Sequence, residues 1–189
     1  MSSQNAGKPI EIILPRIEEE RFVKGIKDDS DVFVEVLSSI DARTAQAREA
    51  SDLKVITELI ESSVTHAVLN ELALEAMRDW VVATGLEHER KLRGDGSDSS
   101  QDQLCDFQMS FSITLKLIGE LSTAERVARE VLLAEEKRKS ADDNDVLVAM
   151  SNLGLILWDA GQNEEAEQLL RRALEVKLGK MFPRVFFFF

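Results

Sequence analysis

The sequence predicts an all-α protein built of stacked helix-turn-helix repeats and preceded by an N-terminal helical bundle. Three observations carry that prediction. The C-terminal half repeats itself once at a spacing of 42 residues: Met109–Gly119 laid over Ser151–Gly161 puts glycine on glycine and aliphatic on aliphatic. The register then persists, with Ala124 on Ala166, Glu125 on Glu167, Arg129 on Arg171 and Leu132 on Leu174. Apolar residues also recur three and four apart along much of the chain, the spacing of one buried helix face. Self-similarity over such a period is the mark of a stacked helical array, whose surfaces usually bind something that the fold alone does not name.

The chain has 189 residues, 44% of them apolar, enough for one or two compact domains with a continuous core. The 23 basic and 35 acidic residues leave a net charge of -12, spread along the chain. Such a surface repels phosphate backbones and anionic headgroups, so nucleic acid and membrane surfaces are disfavoured, and solubility and basic partners favoured. The lone cysteine, Cys105, excludes an internal disulfide and reads as a small core residue. No signal peptide and no spanning helix are evident, so the cytoplasm is the expected compartment.

Taken in order, residues 1–15 read as a disordered or extended start fenced by Pro9 and Pro15. Residues 16–93 read as the helical bundle. Its first helix follows Pro15 with Ile17, Phe22, Val23 and Ile26 on one face, and its second carries Val32, Phe33, Val36, Leu37 and Ile40. A third starts at Ser51 or Asp52 with Leu53, Ile56, Ile60 and Val64 inward, since Ser and Asp accept bonds from first-turn amides. The ridge of the fourth is Leu69, Leu72, Ala76 and Trp80; it ends at Gly85 or runs on through Leu86 to Leu92. Residues 94–102 form an acidic linker. They lack the glycine and the closing glutamate of a calcium loop, Ser100 and Asp106 standing in those places.

Residues 103–180 hold the two repeats, 103–140 and 145–180. In the second, Met150, Leu153, Gly154 and Leu157 make one ridge, Gly161 ends the helix, and Asn163 is placed to cap the next, where Ala166, Leu170 and Ala173 share a face. Gly154 and Ala166 allow two antiparallel helices to approach closely. In the first, Ser122 and Glu125 have the spacing of a capping box. The tail, residues 181–189, breaks the pattern with four terminal phenylalanines. It reads as an array cut short, as aromatic cover for the last helix, or as a docking signal.

This pattern resembles the tetratricopeptide repeat. The 42-residue period, Asn152-Leu-Gly154 and the run Asn163–Glu175 are similar to the longer variety found in kinesin light chains. The resemblance implies a right-handed superhelix whose first helices line a groove for peptides or partner helices. It places Ser151, Asn152, Leu155, Trp158 and Asp159 there from the second copy, and Met109, Ser110, Ile113, Lys116 and Leu117 from the first. It also implies that Asn152 bonds the backbone of a bound peptide. Ser110 occupies the matching place in the first copy, so no ladder of amides runs along the groove. Trp158 either faces a ligand or packs against a neighbouring repeat. Lys116 either pairs with an acid or is solvated, and Arg171 pairs with Glu167 four residues before it.

No catalytic constellation emerges. His66 and His88 lack neighbours at ligand spacing, and there is no phosphate loop, nucleophile elbow or paired acid and base. No metal and no cofactor are implied. The expected function is a non-catalytic protein-interaction scaffold; the alternative is a regulatory piece of a larger enzyme or nucleotide-binding protein.

Overall fold

The computed structural model describes residues 16–28, 58, 65–94 and 98–181. The second and third expected helices, apart from Glu58, lie outside the described residues, as do residues 95–97 of the linker and the tail from 182. Among the described residues six helices follow in order: α1 (Arg16–Asp28), α2 (His66–Arg93), α3 (Asp98–Leu117), α4 (Leu121–Arg138), α5 (Asn144–Asp159) and α6 (Asn163–Met181). The fold is an all-α helical repeat. α3 pairs with α4, α5 with α6, and α4 with α5, while α1 and α2 pack on α3 at the N-terminal end.

Each hairpin is set by its turn. The N–H of Glu120 donates to the carbonyl of Leu115 at 2.9 Å and that of Gly119 to Lys116 at 3.1 Å. The second hairpin repeats this, Gln162 to Leu157 at 2.9 Å and Gly161 to Trp158 at 3.0 Å. This paired closure requires a left-handed residue, and Gly119 (φ +87°) and Gly161 (φ +78°) supply it without a Cβ penalty.

The turn is so tight that the next helix begins two residues after the glycine, which corrects two expected caps. α4 is already under way at Leu121, its cap residue is Glu120, and no side chain caps it. Ser122 therefore lies inside the first turn, and Glu125 is engaged by Arg129 (2.9 Å) and Gln162 (2.6 Å) instead. Likewise α6 opens at Asn163 itself, with the carbonyl of Gln162 accepting from the Ala166 N–H at 3.1 Å. Side-chain caps do occur where the turns are looser. Thr65 Oγ1 accepts from Val68 N–H at 3.4 Å and Asp143 Oδ1 from Asp145 N–H at 2.9 Å.

One core runs through all six helices. Phe107 and Phe111 stack with ring centroids 5.4 Å apart, and Ile26 of α1 joins the same buried cluster beside the Phe22–Trp80 pair (4.5 Å). α5 is the most enclosed element, burying Val146, Leu147, Met150, Leu153, Ile156 and Leu157 between the neighbours that flank it. Cys105 is buried in α3. One expected boundary moves and one left open is decided. α3 starts at Asp98, so the segment assigned to the linker is helical from there to Asp102. α2 does not stop at Gly85: helix continues to Arg93, because Gly85 is where the Phe111 ring lies against the backbone.

The two close approaches differ in how far the neighbour can yield. A Cβ on Gly85 would fall 2.2 Å from Phe111 Cε2 and Cζ, and that ring is fully enclosed. A Cβ on Gly154 would fall 2.7 Å from Leu170 Cγ, a half-buried and flexible side chain. Alanine gains about 1 kcal/mol of helix propensity over glycine, against about 1–3 kcal/mol for over-packing. Gly85→Ala is therefore expected to lower the midpoint of thermal unfolding, followed by circular dichroism, and to lower it more than Gly154→Ala does. A Gly85→Ala protein melting at or above the parent temperature would refute this packing.

Candidate functional site

The first helices of the two hairpins, α3 and α5, lie side by side and leave one face to solvent. From α5 it offers Leu155 (49% exposed), Trp158 (57% exposed) and Asp159, with Ser151 half-buried. From α3 come half-buried Met109, Ser110, Ile113 and Lys116, and exposed Leu117. Lys116 Nζ stands 3.2 Å from Asp159 Oδ2, so the lysine is paired and ties the helices together across the face. Trp158 keeps more than half of its surface open to solvent. An exposed indole beside an exposed leucine is the kind of apolar anchor that dominates protein interfaces.

Asn152 is not on that face. It is 9% exposed, and its Nδ2 donates to Ser112 Oγ at 2.7 Å and lies 3.5 Å from Met109 Sδ. Ser112 in turn donates to the Met109 carbonyl at 2.7 Å. The amide that the resemblance assigns to a ligand backbone is here a buried fastener between α5 and α3, because Ser112 offers it a hydroxyl within reach. Other hydroxyls are likewise engaged: Ser151 Oγ donates to the Leu147 carbonyl at 2.8 Å and Thr114 Oγ1 to that of Ser110 at 3.2 Å. What the face presents is therefore chiefly apolar surface and one ion pair.

The opposite side carries a network that the sequence reading missed. Glu89 of α2 is buried and accepts from Gln108 Nε2 of α3 at 2.8 Å and from Arg93, while Arg126 of α4 approaches at 3.5 Å. Arg93 also reaches Glu130. Further along, Arg129 grips Glu165 with two bonds of 2.7 Å, Arg172 meets Glu136 at 3.2 Å and Arg138 meets Asp102. The partners that join α2 to α4 (Arg93–Glu130, Arg126–Glu89) and α4 to α6 (Arg129–Glu165, Arg172–Glu136) are 36 or 37 residues apart, an offset visible in the sequence once these helices are compared, while Arg138–Asp102 joins α4 to α3 of the same hairpin. The Arg129 guanidinium holds the Glu165 carboxyl below the usual carboxylate range, and Arg138 does the same for Asp102. Burial pushes Glu130 up, and Arg126 with Arg93 outweighs it.

His66 opens α2 half-buried, and His88 sets its ring edge-on to Phe107 at 4.6 Å. Among the described residues no group of three or more His, Cys, Asp and Glu is placed to hold a metal ion, and no helix is long and apolar enough to cross a membrane.

Antiparallel helix pairs, closed by matched glycine turns and stacked in register, define a helical repeat. Within it, residues 146–177, spanning most of α5 and α6, match the family model of the tetratricopeptide repeat. Searches of the curated proteins and of the solved structures each returned no match.

Two measurements follow from this geometry. Asn152→Ala removes the bond that Ser112 Oγ accepts in the interior and is expected to cost about 1–2 kcal/mol, whereas Trp158→Ala should leave the urea midpoint unchanged; equal stabilities would contradict the buried bond. The pH dependence is set by the depressed carboxyls. Their contribution is present above the unfolded carboxylate pKa of about 4 and is lost as pH falls through the lower folded value. With both groups near half-exposed, screening holds the Arg129–Glu165 pair to about 1 kcal/mol or less. Arg129→Gln should therefore make the acid-induced fall in melting temperature shallower, and an unaltered profile would remove this pair from the linkage.

Proposed function

We propose that this protein is a non-catalytic interaction scaffold that binds a peptide or helix of a partner protein on the solvent face of α3 and α5. The observation that carries the reading is the pairing of exposed Leu155 and Trp158 with the Lys116–Asp159 ion pair on adjacent first helices of a repeat array. The matched segment supports it, since tetratricopeptide repeats are generally protein-interaction modules. The 42-residue period supports the kinesin-light-chain-like variety, with α3 and α4 as a second unit of the same kind.

On this reading Leu155 and Trp158 anchor an apolar side chain, and half-buried Ile113 extends the floor between them and α3. Lys116 and Asp159 orient polar groups at the rim, while Ser110 and Ser151 contribute small, close-contact surface. Asn152 acts only through α3. The net charge of -12 favours partners with basic flanks and opposes nucleic acid and anionic membranes.

A photo-crosslinking residue placed at position 155 in cells tests this against the same residue at Leu133, which is exposed on α4. The expected result is one or a few discrete crosslinked proteins from position 155, absent from position 133 and suppressed by Trp158→Ala. Identical products from both positions would overturn the proposed face.

A further inference from the structure

The α3–α5 face continues beyond its apolar anchor. Toward the N-terminal ends of the two helices, residues three and four apart carry it from Ile113 through Met109 to Asp106 and Asp102 on α3, and from Leu155 through Ser151 to Val148 and Asp145 on α5. There it opens into a cavity of about 500 Å³ between α3, α4 and the start of α5. Cys105, Met109, Val131 and Val148 give this cavity apolar walls. Burial pushes the Cys105 thiol above its ordinary value, so it adds no charge to them.

The floor and rim are anionic. Asp102, Asp106, Glu135 and Asp145 line the cavity against Arg138 and Lys139. Arg138 is taken by Asp102, and Lys139 is divided between Asp145 and Glu135, the latter at 2.7 Å. Glu135 is 4% exposed, and among the described residues its Oε2 takes no well-directed hydrogen bond beyond that ion pair. Asp106 is exposed and has no cation or donor on it among the described residues. Carboxylates therefore outnumber cations in a cleft with apolar walls. A lysine or arginine suits both features, because its methylenes lie along apolar surface while its charged head stays at a polar rim.

The distance to the anchor follows from the helix. Lys116 meets Asp159, next to Trp158, and Asp106 lies about 15 Å from Lys116 along α3 at a rise of about 1.5 Å per residue. An extended chain covers that distance in about four or five residues, at about 3.3 Å each. We infer that the partner segment lies extended along the α3–α5 face, with an apolar side chain on Leu155 and Trp158 and an arginine or lysine in the cavity, its charge on Asp106. The inference rests on the reading of that face as the docking surface and adds the chemistry and spacing of what docks there. The charge of the cavity fixes the cation, and the continuity of the face fixes its place relative to the anchor.

The probe is a library of random dodecapeptides displayed on phage and selected on the full chain. Enriched sequences are expected to hold a large apolar residue and a basic one about four or five positions apart. The most enriched peptide, labelled and titrated by fluorescence anisotropy, should bind the Asp106→Lys chain roughly tenfold more weakly or worse. Exchanging its basic residue for glutamate should weaken binding to the parent chain and restore it to Asp106→Lys. Asp106 is exposed, so an unchanged melting curve for that variant is also expected. Trp158→Ala should abolish binding of either peptide. Peptides that need Trp158 but carry no such basic residue, or bind Asp106→Lys as well as the parent, overturn this inference and leave the docking face standing. A basic residue about ten positions from the anchor would mean a helical occupant and equally overturn it. Failure to enrich any peptide, or binding indifferent to Trp158→Ala, overturns both the inference and the docking face on which it rests.

Discussion

The structure depends on one backbone constraint, the left-handed glycine that closes the first helix of each hairpin with paired hydrogen bonds to carbonyls three and five residues back. Because Gly119 and Gly161 close their turns alike, the second helix starts at the same offset, two residues after the glycine, in both hairpins. Equal hairpins stack by one repeated step, and a residue on one second helix then meets a partner about one repeat later on the next. The Arg129–Glu165 and Arg172–Glu136 pairs between α4 and α6, each 36 residues apart, are a consequence of that geometry. Surface pairs of this kind contribute little each, and they set register more than they hold the array together.

Cohesion comes from the core that crosses every helix boundary. Phe111 against Gly85 fuses the N-terminal helices to the first hairpin by allowing contact with bare backbone. Glu89 then fixes the same junction with a buried, charge-assisted network drawn from α2, α3 and α4. α2 packs on α3, and its Glu89 and Arg93 bond Arg126 and Glu130 of α4 as Arg129 of α4 bonds Glu165 of α6. A repeat array is a nearly one-dimensional system in which each unit is stabilised by its neighbours, and α4 and α5, flanked on both sides, are the best covered.

The same logic divides the surface by role. The hydroxyls of Ser112, Thr114 and Ser151 and the Asn152 amide are engaged by neighbouring backbone or by each other, so the face they flank presents chiefly aliphatic and indole surface with the Lys116–Asp159 ion pair. Selectivity there rests on shape and apolar contact more than on hydrogen-bond readout. The outer face of α6 differs, with exposed Leu174 and the Arg171–Glu167 pair.

By itself the sequence determined the helical class, the period, the two hairpins and the turn glycines, because these depend on local preferences and on spacing that a chain carries wherever it folds. It also placed Arg171 on Glu167, an interaction within one helix. Tertiary structure decided the rest. Gly85 read equally as a helix stop or a helix interior, and the Phe111 ring, remote in sequence, made it the latter. Ser122 and Asn163 had the chemistry of caps, and the tightness of the preceding turn moved the cap one or two residues earlier. Asn152 had the chemistry of a ligand contact, and Ser112 on the neighbouring helix took it into the interior. The physical reason is the same in each case: a side chain's hydrogen-bonding capacity and size are written in the sequence, but which partner uses them depends on helices that only packing brings together.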